Sequence, residues 1–486
     1  MNVLIVSIYG VGSYSKGIMA EVLQTELDKK NSNNYFYVSC SKSFDTCYFN
    51  KDKEMHRCDS CRYSIQNTLE LIDGDFTNLK ISDIAAEEDI KTATEFFQDN
   101  PAISKGLFFE NYDLGEATLS TYISLTRDKE LNFIDQNSYV AKIAYNCLIT
   151  YLSIKRFIKN NAIELIYNFN GRQDYLRAVF RAAQSMGVKC LNVERARPGG
   201  FIEFYENALP FSILAKKKLI DDFWNESPDS IQVKEDIASE FFEKKRGGLE
   251  TITRVYTKSQ EKNYLPAEIR NGKPNIVLFN SSDDEHAAVG DEYKNSYWEN
   301  QNEGILYLVN LFGTELRNYN LIIRMHPNLS NVKHDYTTSV LELDRKFENI
   351  FVIGPDDKVD TYALIDISEK IITFGSTVGL EGTYWGKPVI LLGKGRYYYS
   401  DVAYVPDNVA HIKSLISSPL KVKDKVNSLI FGYYYTKGGV KASYYFQKGV
   451  FTEVYFKNRN LSKFKPYQKL HIYSGKLIDS IKSKMK

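Results

Sequence analysis

The stretch KIITFGSTVGLEGTYWGKPVILLG, residues 370–393, joins two apolar runs through a glycine, two hydroxyl residues and a short amphipathic segment. The runs at residues 371–374 and 389–392 are rich in isoleucine, valine and leucine, which is typical of strands buried on both faces of a parallel sheet. The segment at residues 376–386 predicts a helix between them. Strand, helix and strand in this order form a βαβ unit, so the stretch predicts an α/β fold.

Similar patterns occur in both halves of the chain. Strands are predicted at residues 2–9, 35–39, 164–171, 188–194 and 349–354 and near the starts of 273–285 and 318–328. Helices are predicted at residues 18–30, 138–159, 172–187 and 358–368. Residues 42–100 are polar and predict irregular structure. Two Rossmann-like domains with parallel sheets that face each other across a cleft are therefore expected, with ligands at the carboxyl ends of the strands.

The length and composition agree with a two-domain globular protein. The chain has 486 residues, too many for one compact core. Its 62 Lys+Arg and 61 Asp+Glu leave a net charge of +1, so no global field attracts nucleic acid. No apolar run approaches the ~20 residues that span a bilayer, and the start does not resemble a signal peptide. We expect a cytoplasmic protein whose 6 cysteines are reduced.

The loop in the opening stretch is a candidate phosphate site. Gly375 ends a strand, and Ser376 or Thr377 can cap the following helix, whose first N–H groups attract an anion. Glu381 follows about one turn later, where its carboxylate can accept hydrogen bonds from ribose hydroxyls. The alternative is a structural helix cap, which is the commoner use of such a motif.

Two further loops of the second half carry candidate donor-binding residues. Arg324 and His326 follow an apolar strand, and a histidine there can donate to a phosphate and neutralise a leaving group. Ser281 and Ser282 follow another strand and offer hydroxyls for phosphate contact. Asp283, next to them, can orient toward an acceptor hydroxyl, although acids at a helix N-terminus are also favourable without any ligand.

The first half offers polar residues in the equivalent loops. Asn170 and Arg172 follow a predicted strand and can bind sugar hydroxyls or an acidic group. Glu194 ends the next strand and is a candidate general base for an acceptor hydroxyl. Pairing of Glu194 with Arg195 or Arg197 is the structural alternative.

Two features outside the predicted sheets suggest a metal site and a membrane contact. The polar region contains four cysteines that could hold a structural zinc ion or iron–sulfur cluster, with reduced, unliganded thiols as the alternative: Cys40, Cys47, Cys58 and Cys61. Residues 455–486 combine lysines with aromatic residues, which suits an anionic membrane surface, whereas a solvated terminal helix is the simpler interpretation.

Several of these motifs together resemble one family. RMHPN (residues 324–328) followed by FGSTVGLEGTYWGKP (residues 374–388) resembles the donor-nucleotide motifs of bacterial capsule and surface-polysaccharide glycosyltransferases of the GT-B fold. Kdo transferases, bacterial sialyltransferases and teichoic-acid glycerophosphotransferases are more distant relatives of that family. Further segments are similar to the capsule group, namely FNGR (169–172), VER (193–195), FFEKKRGG (241–248), FNSSDDE (279–285) and the cysteine-bearing loop. The likeness extends over about residues 1–395.

The resemblance implies roles for individual residues. His326 would contact the donor phosphate, Ser376 and Thr377 would hold that phosphate, and Glu381 would bind the ribose. The general base would come from the N-terminal domain. Its candidates, in order, are Glu194, Asp174 and Asp283.

The resemblance also implies an activity and a domain plan. A sugar would pass from a CMP-, UDP- or similar nucleotide-sugar donor to a glycan or lipid-linked glycan of the capsule, O-antigen or lipopolysaccharide. Transfer would proceed with inversion, without a metal or other cofactor at the reaction centre. The expected regions are an acceptor-binding domain with a cysteine-containing insertion (1–212), a helical link (213–270), a donor-binding domain (271–440) and a basic, aromatic tail at the inner face of the membrane (441–486).

Other activities on the same fold remain open at this point. A nucleotide-sugar 2-epimerase would share the two domains and the phosphate site but would need no acceptor groove. A teichoic-type phosphotransferase would differ in its first domain. A non-catalytic glycan-assembly protein on a degenerate transferase fold would bind no nucleotide.

Overall fold

The computed structural model describes residues 1–10, 14–130, 133–135, 138–249, 257, 259–282, 284, 287–449 and 453–484. Contacts divide the chain into two compact units. Unit 1 comprises Met1–Phe211 and Gly439–Lys486, and unit 2 comprises Ser212–Gly438. The chain therefore leaves unit 1 once and returns to it at its C-terminal end.

Unit 1 is an α/β unit with two small additional sheets, one of two strands and one of three. Its strands are β1 (Asn2–Val6), β2 (Asn34–Ser39), β3 (Thr77–Lys80), β4 (Ala102–Ser104), β5 (Phe133–Asp135), β6 (Ile163–Phe169), β7 (Lys189–Arg195), β8 (Phe201–Glu206), β14 (Val440–Lys441), β15 (Tyr445–Lys448), β16 (Glu453–Phe456) and β17 (Arg459–Asn460). Its helices are α1 (Ser15–Asp28), α2 (Met55–Leu69), α3 (Ile81–Ile84), α4 (Glu87–Asp99), α5 (Leu114–Thr126), α6 (Tyr139–Asn160), α7 (Asp174–Ser185) and α16 (Pro466–Lys484).

Unit 2 alternates strands and helices. Its strands are β9 (Asn275–Phe279), β10 (Asn320–Arg324), β11 (Ile350–Ile353), β12 (Ser368–Thr373) and β13 (Val389–Leu391). Its helices are α8 (Ile213–Glu226), α9 (Ile231–Arg246), α10 (Gln301–Thr314), α11 (Asp335–Leu341), α12 (Thr361–Ile367), α13 (Val378–Tyr384), α14 (Val409–Ser417) and α15 (Val426–Lys437), with 3-10 turns at Ala267–Ile269, Asp291–Tyr293 and Pro327–Leu329.

The parallel strands of the two main sheets are arranged in the same way, with β3-β2-β1-β6-β7 of unit 1 corresponding to β11-β10-β9-β12-β13 of unit 2. In unit 1 the order is β14-β8-β7-β6-β1-β2-β3, in which β7, β6, β1, β2 and β3 are parallel and β8 and β14 are antiparallel additions. In unit 2 the order is β11-β10-β9-β12-β13, all parallel. The predicted α/β fold with two Rossmann-like parallel sheets is confirmed. The strand order reverses between β1 and β6 and between β9 and β12, where ligands of such sheets bind.

The apolar strands of unit 2 are covered on both faces. Ile322 of β10 packs into one buried cluster with Val277 of β9. Its neighbours Leu321 and Ile323 point the other way, into a second cluster. Successive side chains of a strand alternate between the two faces, so a continuous apolar run fits only a strand with helices on both sides.

The prediction of irregular structure for residues 42–100 is wrong. This region contains α2, the parallel strand β3, and helices α3 and α4. Helix α2 packs along α16, which lies about four hundred residues later in the chain. The contacts between the two helices are largely polar, as between Asn67 and Gln468 and between Tyr63 and His471, so this face of α2 has no apolar stripe in the sequence.

The bounds of the two units differ from the expected domain plan in two regions of the chain. Residues 213–270, expected as a link, belong to unit 2, where α9 packs along α15. Residues 439–486 belong to unit 1, because β14 pairs with β8 and the carboxylate of Glu21 in α1 accepts the N–H groups of Ser443, Tyr444 and Tyr445. Among the described residues, every helix is too short or too polar to cross a membrane.

Candidate functional site

Unit 2 contains a pocket at the carboxyl ends of β9, β10 and β12. The space within it, including solvent at its mouth, is about 670 Å³, and its lining comes mainly from the loops after these three strands, the end of α9 and the start of α12. The pocket lies at the reversal of strand order between β9 and β12, as expected for a nucleotide-binding sheet.

His326 lines this pocket with a defined tautomer. Its Nδ1 accepts the N–H of Asn328 at 3.0 Å, so the neutral ring carries its proton on Nε2. The backbone N–H of His326 donates to Oδ1 of Asn280, a buried residue in the loop after β9. The first hydrogen bond orients the imidazole, and the second fixes the backbone that carries it. A neutral His326 is therefore a hydrogen-bond donor through Nε2.

Arg324 is built into the floor of the pocket. Its guanidinium donates to the carbonyl oxygens of Gly354 and Asp357, which follow β11. Burial lowers the pKa of Arg324 to about 10, which leaves it charged at neutral pH. Its Nε, which is buried, has no hydrogen-bond partner among the described residues. Arg324 thus clamps the neighbouring loop and adds positive charge beneath the pocket.

The loop after β12 is closed by its own hydrogen bonds. The N–H groups of Gly375 and Ser376 donate to Oγ1 of Thr373 at 3.2 and 2.9 Å. Gly375 has a φ of 118°, a conformation that favours glycine, and a Cβ there would lie 3.1 Å from the carbonyl oxygen of Lys394. Tyr397 braces the same loop by donating to the carbonyl oxygen of Ser376. The backbone N–H groups of Gly375 and Ser376 are therefore already engaged within the loop.

The hydroxyls of this loop nevertheless line the pocket. Ser376 and Thr377 both contribute to its wall. Thr377 caps α13 without a side-chain hydrogen bond, and the seven residues of α13 give a short helix with a correspondingly weak dipole. Side chains, rather than backbone N–H groups, are thus the main donors that this loop offers.

Glu381 is the buried acid of the pocket and has two partners. Its Oε1 accepts Nζ of Lys245 at 2.5 Å, and its Oε2 accepts the hydroxyl of Tyr362 at 2.6 Å. Lys245 also lies 3.4 Å from Oγ1 of Thr377. A carboxylate oxygen has two lone pairs, so each oxygen of Glu381 can accept one more hydrogen bond from a ligand. Lys245 thus joins the acid to the loop that carries the hydroxyls.

The charges of the pocket favour an anion. Lys245 and Arg324 are positive, whereas Glu381 is negative, so the lining has an excess of one positive charge before His326 is counted. In a concave site of low dielectric such an excess attracts an anionic ligand more strongly than it would at a flat surface.

The predicted serines of the loop after β9 lie beside the pocket. Ser282 donates to Asp284 at 2.9 Å and accepts from the amide of Asn328. The N–H of Ser281 donates to Oε1 of Gln301. Neither serine is among the residues that line the pocket, whereas their neighbour Asn280 is. Asp283 lies outside the described residues.

In unit 1, Glu194 lies at the end of β7 within a ring of donors. It accepts the side-chain amide of Asn170 at 2.5 Å, the hydroxyl of Tyr14 at 3.3 Å and the N–H of Arg195 at 2.8 Å. Burial raises the pKa of Glu194, and the hydrogen bonds from Asn170 and Arg195 oppose that rise. Glu194 is half-buried as a residue, and hydrogen-bond donors contact both oxygens of its carboxylate. A carboxylate with a raised pKa suits proton abstraction.

Asp174, the second candidate base, is less accessible. It begins α7, is 1% exposed and accepts the hydroxyl of Tyr9 at 2.6 Å. Burial raises the pKa of Asp174 to about 6, against the hydrogen bonds from Tyr9 and from two backbone N–H groups. A carboxylate that is covered in this way cannot reach an acceptor hydroxyl directly. The geometry of unit 1 therefore favours Glu194.

The two predicted sugar-binding residues of unit 1 are engaged within the fold. The side chain of Asn170 donates to Glu194 and accepts the N–H of Arg172. Arg172 is 7% exposed, donates to Oγ of Ser120 and stacks over the ring of Phe211. Asn170 therefore positions Glu194, and Arg172 packs the base of the loop.

The four cysteines of the polar region do not form a metal-binding group. Sγ of Cys58 accepts from the amide of Asn50, and Sγ of Cys61, one turn later on α2, accepts the N–H of Gly10. Burial raises the pKa of Cys40 and of Cys47 to about 12. Within the described ranges, no three His, Cys, Asp or Glu side chains are placed to hold a metal ion, and none of these cysteines forms a disulfide. The donor set therefore does not fit the expected metal.

Three residues that line the pocket were not predicted from the sequence, namely Lys245, Tyr362 and Asn280. Lys245 lies in FFEKKRGG, a segment that resembles the capsule group, and Asn280 lies in the flagged loop FNSSDDE. Both could have been selected from those motifs. Tyr362 is the second residue of α12 and carries no local signal for a role at Glu381.

Part of the chain matches a model of a known protein family. Residues 253–412 match the family model described as capsule polysaccharide biosynthesis protein. Over these residues the predicted resemblance to capsule biosynthesis proteins is confirmed. The matched region contains β9 to β13 and most of the pocket. A search of curated protein sequences returned no significant match.

Solved structures with a similar chain path have low sequence identity. The beta-Kdo 2,4-transferase KpsC of Thermosulfurimonas dismutans is 13% identical, with 56% of this chain and 79% of that chain covered and a TM-score of 0.35. The UDP-GlcNAc 2-epimerase of Methanocaldococcus jannaschii, solved with UDP-GlcNAc and UDP, is 10% identical, with 89% and 98% covered and a TM-score of 0.28. The UDP-GlcNAc 2-epimerase of Neisseria meningitidis is 13% identical, with 97% and 100% covered and a TM-score of 0.23.

Proposed function

We propose that this protein is a glycosyltransferase of bacterial capsule polysaccharide biosynthesis and that the pocket of unit 2 binds the nucleotide part of a nucleotide-sugar donor. The capsule family match over residues 253–412 supports the biological role. The observation that carries the chemistry is His326, whose hydrogen bond from Asn328 leaves Nε2 as the donor in a pocket with excess positive charge.

The nucleotide-sugar donor would be held by side chains that line the pocket of unit 2. Nε2 of His326, the hydroxyls of Ser376 and Thr377, and Nζ of Lys245 line one pocket and can all donate to phosphate oxygens. Glu381 can accept hydrogen bonds from the ribose hydroxyls, since its two present partners leave lone pairs on both oxygens. The residues thus fit an anion joined to a polyhydroxylated group.

The proposed transfer is a single displacement at the anomeric carbon of the donor sugar. The bond between the anomeric carbon and the donor phosphate breaks while an acceptor oxygen bonds to that carbon. The negative charge that develops on the leaving phosphate is stabilised by His326 and Lys245, which bind it more tightly than they bind the intact donor. The proton of the acceptor hydroxyl passes to a carboxylate base, and Glu194 is our candidate because burial raises its pKa. Such a single displacement inverts the anomeric centre.

The test separates the donor function of His326 from its structural one. In His326→Asn the side-chain oxygen can still accept the N–H of Asn328, because asparagine caps a helical turn well, but nothing replaces Nε2. We expect an unchanged unfolding midpoint and a loss of turnover of about 100-fold or more. Turnover is measured as nucleotide released from UDP- and CMP-sugars in the presence of capsule oligosaccharide.

His334→Asn is the matched control. His334 precedes α11, stacks on Tyr336 and does not line the pocket, so its replacement should leave turnover unchanged. Wild-type turnover in His326→Asn would refute the proposed role. Formation of a C2 epimer from a UDP-sugar alone, without acceptor, would instead identify a 2-epimerase.

A further inference from the structure

The C-terminal helix α16 is attached to unit 1 by one polar face. Asp479 accepts the N–H groups of Met55 and His56 and contacts the ring of His56 at 2.8 Å. Gln468, which is 0% exposed, exchanges hydrogen bonds with Asn67. Gly475, on the same face, brings the backbone of α16 against His56 of α2. These contacts fix which side of α16 points away from the unit.

The opposite face of α16 is apolar and exposed. Leu470, Tyr473, Leu477 and Ile481 follow one another at intervals of three or four residues, which places them in one stripe along the helix. Their exposed fractions are 68%, 61%, 51% and 59%. A stripe of large apolar side chains exposed to this degree marks an interaction surface.

Lysines border this stripe. Lys469 and Lys476 lie four residues before and three residues after Tyr473, so they are its neighbours on the helix surface, and both are exposed. Lys482 and Lys484 add charge at the end of the helix. The single acid of α16, Asp479, is turned inward onto His56. The outward surface is therefore apolar along its centre and positive along its edge.

We propose that α16 docks on an anionic phospholipid surface, with the stripe Leu470–Tyr473–Leu477–Ile481 entering the headgroup region and Lys469 and Lys476 contacting lipid phosphates. An amphipathic helix with a lysine-bearing polar face and exposed leucine and aromatic residues binds in the plane of such an interface. Tyrosine is enriched at that depth because its ring is apolar and its hydroxyl polar.

The charge argues for a membrane rather than for a second copy of the chain. The whole chain has a net charge of +1, so a second copy has no excess of acidic residues to pair with these lysines. A bacterial inner leaflet rich in phosphatidylglycerol has excess negative charge. Self-association through the same stripe would also place Lys469 and Lys476 of two helices near each other. The inference is independent of the chemistry in the pocket of unit 2.

The experiment is sedimentation of the full-length protein with vesicles. We expect binding to vesicles that contain phosphatidylglycerol, weaker binding as NaCl is raised, and little binding to pure phosphatidylcholine. Leu470→Gln/Leu477→Gln and, separately, Lys469→Glu/Lys476→Glu should each weaken binding by about tenfold or more. Because all four side chains are exposed, the thermal unfolding midpoint should not change.

Matched controls come from unit 2. Leu214→Gln/Leu306→Gln replaces two exposed leucines, and Lys333→Glu/Lys346→Glu replaces two exposed lysines, so both variants should bind as the wild type does. Absence of wild-type binding, or equal binding by the α16 variants, overturns the proposal. A wild-type dimer that the leucine variant converts to a monomer, with no vesicle binding, overturns it in favour of self-association.

Discussion

Lys245 of α9 and Glu381 of α13, separated by 136 residues in the chain, form an ion pair at 2.5 Å in the pocket of unit 2. The acid is 5% exposed and the lysine 21%, so the pair is only partly screened by water. Tyr362 completes the arrangement at the second oxygen of Glu381. The pair thus links the end of α9 to the loop that carries Ser376 and Thr377.

Removal of either partner of this pair should cost stability. In Lys245→Met the buried carboxylate of Glu381 loses its cation, and we expect a loss of about 1–3 kcal/mol in the free energy of unfolding. The double variant Lys245→Met/Glu381→Gln should be less destabilised than the sum of the single variants, which urea denaturation of all four proteins measures. Lys244→Met, whose partner Glu240 is exposed, should change stability by less than about 0.5 kcal/mol. Additive losses would show that the pair is not coupled.

Asp174 should make the protein less stable as the pH rises. Because burial raises its pKa to about 6 in the folded state, the protonated carboxyl stabilises the fold below the unfolded pKa of about 3.9, and this contribution is lost as the pH rises through about 6. Asp174→Asn removes the titration. The free energy of unfolding of this variant should match that of the wild type near pH 4 and exceed it by roughly 3 kcal/mol at pH 8, as measured by urea unfolding.

The exposed Asp45 provides the comparison for this titration. Asp45→Asn affects a side chain that is 79% exposed and should leave the pH dependence as in the wild type. An Asp174→Asn protein whose stability falls with pH as steeply as that of the wild type would contradict the assignment.

Asp113 should have the opposite pH dependence. Burial would raise its pKa, but hydrogen bonds from Arg181 and Arg177 outweigh burial and hold the pKa well below the usual range. Asp113→Asn removes the nearest counter-charge of two arginines, one of them 1% exposed, and leaves Glu116 at 3.9 Å from Arg177, so we expect a loss of about 3–5 kcal/mol at pH 7. Since the folded pKa is depressed, the wild-type advantage should shrink as the pH falls below about 3.9.

Urea unfolding at pH 7 and pH 3 measures this change. Asp221→Asn, which removes one member of a partly exposed pair with Lys217, should have little effect at either pH. The ion-pair assignment would be contradicted if the wild type and Asp113→Asn differed in free energy of unfolding by the same amount at both pH values.

Glu21 should control how firmly the C-terminal segment is held. Its carboxylate accepts the N–H groups of Ser443, Tyr444 and Tyr445 at 2.7–2.8 Å. Glu21→Gln removes the charge and directs an amide N–H toward the same donors, so hydrogen exchange at residues 443–445 should speed up by about tenfold or more. Exchange in β1 and β6 serves as the internal reference and should stay as in the wild type, whereas unchanged exchange at residues 443–445 would count against this role.

The fold was largely predictable because its signals are local. The apolar runs of β9, β10 and β12 are continuous, and Leu321, Ile322 and Ile323 are fully buried, as strands covered on both faces must be. The pocket residues His326 and Glu381 were predictable for the same reason, since each lies in or just beyond the loop at the end of such a strand. The α2 and β3 region was missed because α2 packs through polar contacts such as the one between Asn67 and Gln468.

By itself, the sequence determined the two parallel sheets and the loops that carry His326, Ser376, Thr377 and Glu381, because periodicity and strand ends are properties of short segments. Only the tertiary structure decided the partners of those residues. It placed Lys245 on Glu381, turned the N–H groups of Gly375 and Ser376 onto Thr373, and returned the C-terminal segment to unit 1. These outcomes depend on which distant atoms satisfy each buried polar group, and no local pattern encodes that choice.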